Sequence, residues 1–292
     1  MNETGKELRR RRSANRRDIW RRLCKNKLAI VGLSIIVLFG LTAIFADVIT
    51  DYEINAIQMS RDRLSTPSQE HWFGTDAMGR DVFARVVHGS RISLSIGLVV
   101  TFLAVAAGGL LGAAAGFFGG WVDNVIMRIM DTLICIPGIL LALAIIAALG
   151  TSIPNLLVAI TVSSVPGYAR FTRSVILTVV GQDYIEAAKS NGMSDIGIIL
   201  KHVLPNAIGP IIVQVTMSVA GMILSAAGLS FIGMGIQPPR PEWGAMLSDA
   251  SIHMRNYPHL VIFPGMSIVL SALSLNLLGD GLRDALDPRL KN

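Results

Sequence analysis

Ile92–Phe118 reads ISLSIGLVVTFLAVAAGGLLGAAAGFF, 27 positions without one charged side chain. A helix rises about 1.5 Å per residue and the hydrocarbon core of a bilayer is about 30 Å thick, so roughly 20 such residues suffice to cross it. Leu28–Ala46, Ala207–Gly235 and Leu260–Gly279 are also free of charge, as is Thr132–Ala169, which Gly150-Thr-Ser-Ile-Pro154 divides in two. Six transmembrane helices are expected on this pattern, at 28–46, 92–118, 125–149, 153–169, 207–235 and 260–280. The fold class is all-α and integral to a membrane.

Composition points the same way. Hydrophobic residues make up 52% of the 292 positions and charged residues 16%, against about 25% charged in soluble domains. The mean hydropathy is +0.55. No small-residue cleavage site precedes Asp47, so the first apolar run reads as an uncleaved signal anchor. Eleven of the 26 Lys and Arg residues lie in 1–27, and Arg9-Arg-Arg-Arg12 alone supplies four. Because cytosolic flanks carry excess Lys and Arg, both termini and the 170–206 loop are expected in the cytosol. The segments 47–91 and 236–259 then lie outside. The domain plan is a basic tail with an interfacial helix at 1–27, a five-span membrane domain at 91–280 and a cytosolic tail at 281–292. The interfacial helix, about 16–27 with Ile19, Trp20 and Leu23 at helical spacing, would meet membrane lipid headgroups. Only Trp20 interleaves the basic run with an aromatic ring, so no nucleic-acid partner is expected despite a pI near 9.7.

Several features inside the spans concern packing. Ala104, Gly108, Gly112 and Gly116 recur every four residues, a small-residue face on which a neighbouring helix can approach closely. Pro137-Gly138, Pro166-Gly167 and Pro264-Gly265 either interrupt helices along a pathway or fit helices around one another. Arg128 and Asp131 are spaced to pair with each other. Ser163, Ser164, Thr216, Ser218, Ser225, Ser271 and Ser274 are candidate pathway residues, each also able to bond its own helix. Cys24 and Cys135 are expected to be buried as small apolar groups. Val82, Phe83, Val86 and Val87 suggest a short surface helix near 78–88.

Catalytic signatures do not occur. There is no Gly-x-x-x-x-Gly-Lys-[Ser/Thr] loop to cradle a nucleotide and no His-Glu-x-x-His or Cys-x-x-Cys grouping for a metal. The chain reads as neither an enzyme nor a binder of its own cofactor.

One polar interruption has a spaced pattern. Tyr184-Ile-Glu-Ala-Ala-Lys-Ser-Asn-Gly192 lies between apolar spans, and Leu204-Pro205 follows twelve residues later. Glu186, Ala187, Ala188, Gly192, Leu204 and Pro205 suit a short helix and a sharp turn that dock into another protein. This pattern resembles the Glu-Ala-Ala loop of bacterial ATP-binding-cassette importer permeases, with His202 where the family often has Ile. Trp72–Asp81, Gly119–Asp123, Gly228–Pro239, Pro241–Gly244 and Gly279–Pro288 resemble the second permease subunit of dipeptide/oligopeptide importers.

The resemblance implies a type I importer permease with a five-helix core and one N-terminal helix, resident in the bacterial inner membrane. It implies a homologous second permease as partner, an extracytoplasmic substrate-binding protein, and two cytosolic ATPase subunits that bind ATP and Mg. Glu186 would pair with a basic residue of the ATPase, Ala187 and Ala188 would permit close approach, and Gly192 would allow the turn. Leu204-Pro205 would fix the return into the fifth span. Glutathione, nickel chelates or opine-like solutes remain alternative cargoes. An ATP-independent carrier would require mid-membrane acids and inverted repeats, and a scaffold would recover neither ATPase nor second permease.

Overall fold

The structure is a computed structural model that describes residues 20–286. The expectations for residues 1–19 and 287–292 lie outside the described residues. Nine helices carry the architecture: α1 (Lys27–Ile44), α2 (Val82–Phe118), α3 (Gly120–Ile134), α4 (Gly138–Leu149), α5 (Ile153–Val180), α6 (Asp183–Ser190), α7 (Leu204–Phe231), α8 (Trp243–Ala250) and α9 (His259–Leu286). Among the described residues the one strand-like pairing is the isolated Thr75–Asp81 bridge.

Four helical stretches are long and apolar enough to cross a membrane: α1, α2, Asp195–Phe231 and α9. A fifth is added if α3 and α4 count as one span bent by 85°. The bend falls at Cys135-Ile-Pro137, so the span expected at 125–149 is made of two helices, interrupted at Pro137-Gly138. Proline has no N–H to continue the ladder and clashes with the preceding turn. Pro166 and Pro264, by contrast, sit inside continuous helices. The sixth expected span rests on α5, whose 28 residues run past the expected end at 169 to Val180 and carry Arg170 and Arg173.

The separate helix expected near 78–88 is absorbed into α2, which runs unbroken for 37 residues from an Asp81 N-cap. Nor do Arg128 and Asp131 pair with each other. Asp131 accepts from Arg170 Nη2 at 2.5 Å, and Asp123 accepts from Arg173 Nε at 2.5 Å, so both acids tie α3 to α5. Cys24 and Cys135 are exposed rather than buried. The described end of the expected interfacial helix, residues 20–25, is helical. Within it Trp20 is exposed, while Leu23 is buried with Ala29 of α1 and Ala285 of α9.

Close helix contact organises the bundle. The face Ala104, Gly108, Gly112, Gly116 lies against α5. A Cβ on Gly112 would stand 2.2 Å from the Ala169 carbonyl oxygen, and one on Gly108 would stand 2.7 Å from the Val165 carbonyl oxygen. Lipid offers no hydrophobic drive between helices, so such backbone approach is what van der Waals packing can exploit. α1 lies on α9 in the same way, with Gly32 against the Ser274 carbonyl and Gly281 against Ala29.

α2 also separates the two ends of the molecule. Its first two turns hold the 50–81 segment: Val82 N donates to the Gly74 carbonyl, and His88 Nε2 lies 3.0 Å from the Thr50 carbonyl. At this end α8 inserts between α7 and α9, with Trp243 fully buried and its Nε1 donating to the Val86 carbonyl. Glu242 caps α8 by accepting from Gly244 N and Ala245 N. Burial pushes the Glu242 carboxyl above its ordinary range, against the pull of those N–H donors. The last turn of α2, about 50 Å away along its axis, meets the 185–207 segment through Phe117.

Candidate functional site

The polar segment folds as a helix, a turn and a second helical stretch laid across the far end of α2. α6 is buried on one side only, and its acidic first turn (Asp183, Glu186) and terminal Lys189 suit the helix dipole. Ile185 and Ala188, three apart, are buried against Phe117, Ile176, Val179, Ile198, Val203 and Ala207. Lys189 Nζ stands 5.7 Å from the centre of the Phe117 ring, a cation–π contact that ties α6 to α2.

The opposite side of α6 is free. Tyr184, Glu186 and Ala187 are exposed, and among the described residues the Glu186 carboxylate has no hydrogen bond or ion pair. Ala188 therefore departs from the role given to it. Its methyl faces this chain's own core, so Glu186 and Ala187 are the members of the trio presented outward.

The sharp turn is at Gly192. Gly192 has φ +74°, which L residues adopt only at a cost, and its N–H donates to the Lys189 carbonyl to end the helix. Ser194 then caps the next helical turn through Gly197 N. Ile199–Val203 widen into a π-helical turn, and Leu204 continues with helical φ and ψ into α7. Pro205 sits in the first turn of α7, where a missing N–H is tolerated. The ring of His202 is 6.2 Å from that of Tyr184, and its carbonyl accepts from Asn206 Nδ2.

The buried anchors Ile185 and Ile198, the fixing contact of Lys189 and the platform of Phe117 were not singled out from sequence. Only the apolar three-residue spacing of Ile185 and Ala188 hinted at them. The seven candidate pathway hydroxyls resolve mostly into helix backbone bonds: Ser163 and Ser164 both donate to Ile160, Thr216 to Ile212, Ser225 to Gly221, Ser271 to Ile268 and Ser274 to Ser271. Ser218 instead accepts from Gln214.

The described residues thus form a bundle of long apolar helices with a small half-exposed helix strapped across one end. Residues 108–292 match the binding-protein-dependent transport system inner membrane component family. Residues 15–67 match the N-terminal TM domain of oligopeptide transport permease C. The chain is 48% identical over 276 residues to a dipeptide transport system permease protein, DppC, of Alkalihalophilus pseudofirmus, covering 94% of this chain and 90% of that one. It is 46% identical over 275 residues to a glutathione transport system permease protein, GsiD, of Escherichia coli, with the same coverage. The fold resembles a chain of the MetNI methionine ABC transporter in an inward-facing conformation. That likeness has a TM-score of 0.58 and 20% identity, over 70% of this chain and 97% of that one.

The chain belongs to the binding-protein-dependent inner membrane permeases of ABC importers, non-catalytic subunits that cross the membrane several times.

Proposed function

We propose that the chain is one of two homologous permease subunits of an importer for di- and oligopeptides. Two cytosolic ATPase subunits, which hold ATP and Mg, drive it, and an extracytoplasmic binding protein loads it. The observation that carries this reading is the unpaired Glu186 on an exposed helix whose other side is fixed in the core. A force applied to α6 passes through Ile185 and Ala188 to α2, α5 and α7 together. ATP-bound and ATP-free partners can thereby favour different arrangements of the spans.

In this reading α1, α2, the bent α3–α4 pair, α5, α7 and α9 are the six crossings. Both termini and 181–203 face the cytosol, and the 50–81 and 232–258 segments face outward. Glutathione is the alternative cargo, favoured by the second of the two relatives. It shares with short peptides a charged, amide-linked backbone.

Reconstitution in proteoliposomes with the cognate binding protein and ATPases tests the cargo. Labelled Ala-Phe is expected to accumulate only with ATP inside, and faster than glutathione; preferential glutathione uptake would reassign the substrate. For topology, Ser190→Cys in a Cys24→Ser, Cys135→Ser background is expected to react with an impermeant maleimide only after the cytosolic face is opened. Labelling in intact cells would invert the arrangement.

A further inference from the structure

A cavity of about 360 Å³ opens at the end of the bundle opposite α6, between the 76–85 stretch, α8 and the first turn of α9. That volume lies within the usual range for small-molecule sites, about 300–1,000 Å³. Its walls are apolar and adaptable, formed by Met78, Val82, Met246, Ile252 and Leu260. Two arginines form its charged part: Arg80 is 3% and Arg85 2% exposed.

These guanidinium groups have too few acceptors. Among the described residues the Arg80 side chain makes one hydrogen bond, Nε to Asp76 Oδ2 at 2.7 Å, and its Nη2 is 3.6 Å from Asp249, beyond hydrogen-bond range. A guanidinium carries five N–H donors, and the Nη groups of Arg80 make no hydrogen bond among the described residues and are not sealed from the cavity. Arg85 donates through Nη1 to the Ala56 and Pro239 carbonyls and stands 3.6 Å from the same Asp76 oxygen. Asp76 Oδ1 already accepts from Met78 N and Arg80 N, and its Oδ2 accepts from Arg80 Nε, so this one carboxylate serves both arginines. The deep part of the cavity thus holds two cations around one shared carboxylate. Asp249, at the rim and 45% exposed, is the nearest further anion.

We propose that this cavity is a carboxylate-binding subsite of the permease itself, which receives the α-carboxylate of an incoming short peptide on Arg80 while the Met- and Ile-lined walls take its side chains. The assignment rests on the peptide-importer reading. A carboxylate matches the planar donor fork of arginine. Asp249 is the competitor that the peptide displaces, and its exposure makes the displacement inexpensive. Thioether and aliphatic walls bind apolar side chains without demanding one shape, as suits a carrier of peptides of varied sequence.

The test uses the assembled transporter in lipid nanodiscs without binding protein, with tritiated Ala-Phe as probe in a scintillation proximity assay. Ala-Phe is expected to bind at least about tenfold more tightly than its C-terminal amide, the loss of a charge-assisted bond. Asp249→Asn is expected to tighten binding about threefold, and Arg80→Gln to weaken it tenfold or more. Met78→Trp, which fills the half-exposed mouth without touching the buried pair, should abolish binding and answers the objection that Arg80→Gln misfolds.

Equal binding of acid and amide, weaker binding in Asp249→Asn, or displacement by acetate as effective as by Ala-Phe would each overturn the proposal. So would a loss of binding-protein capture in Arg80→Gln when free peptide does not bind the wild type, which would make the cavity a protein contact. Uptake separates the two readings. Intact binding-protein-dependent uptake with no direct binding overturns the subsite alone, whereas absent peptide uptake overturns the peptide reading and the subsite with it.

Discussion

Replacing Glu186 with lysine is expected to abolish ATP-driven uptake, by roughly a hundredfold, while the variant permease still inserts and folds. The side chain is exposed and bonded to nothing among the described residues, so its loss removes no internal contact. Ile185 and Ala188, which hold α6 to the bundle, are untouched. What changes is the charge shown to the ATPase: a carboxylate that would meet a basic residue becomes a second cation. Like-charge juxtaposition at an interface costs several kcal/mol, and about 3 kcal/mol corresponds to two orders of magnitude in coupling. The measurements are uptake in proteoliposomes, stimulation of ATP hydrolysis by the loaded binding protein, and recovery of ATPase on affinity-purified permease. Wild-type uptake would remove Glu186 from the interface. A variant that fails to reach the membrane would show that its role is in folding instead.

Replacing Gly112 with valine is expected to prevent stable assembly of the bundle. The first added carbon would already stand 2.2 Å from the Ala169 carbonyl oxygen and 2.9 Å from Arg173 N, both backbone atoms of a continuous helix. A flexible side chain gives way cheaply, but here α2 and α5 must separate along their common face. Overpacking typically costs about 1–3 kcal/mol even where side chains can shift, and backbone contact puts this case at the upper end or beyond. Separation would also pull Arg173 from Asp123, loosening α3. Gly109 is the control: a Cβ there meets nothing closer than Thr172 Oγ1 at 3.9 Å. Gly109→Val is expected to survive detergent extraction and size-exclusion chromatography as a single peak, with Gly112→Val aggregated or proteolysed. Equal behaviour of the two would show that the close α2–α5 approach does not carry the fold.

Much of the polar segment at 184–205 was legible in the sequence, because a charged helix between apolar runs is set by local composition. Its orientation was not. Both alanines of Glu186-Ala187-Ala188 are small, and small residues suit close approach to either a partner or the chain's own core. Only the position of Phe117, Ile198 and Ala207 shows that Ala188 faces inward. The form of the return at Leu204-Pro205 was not legible for a related reason. Proline is as compatible with the first turn of a helix as with a loop, and the π-helical turn before it absorbs the geometry. Asp131 was matched with Arg128 because i and i+3 are neighbours on one helix, whereas its partner Arg170 is 39 residues away.

The sequence by itself determined the class of this protein: a helical membrane protein with a polar segment between two of its apolar runs. Those properties follow from contiguous runs, whose transfer into lipid depends on the residues they contain and little on their neighbours. The tertiary structure decided which side of α6 is exposed, which acids tie α3 to α5, and that Arg80 and Arg85 share one carboxylate at the far end. Each of these depends on the distance between groups far apart in the chain. Such distances are set by how closely the helices pack, through positions such as Gly112, and not by the composition of any one helix.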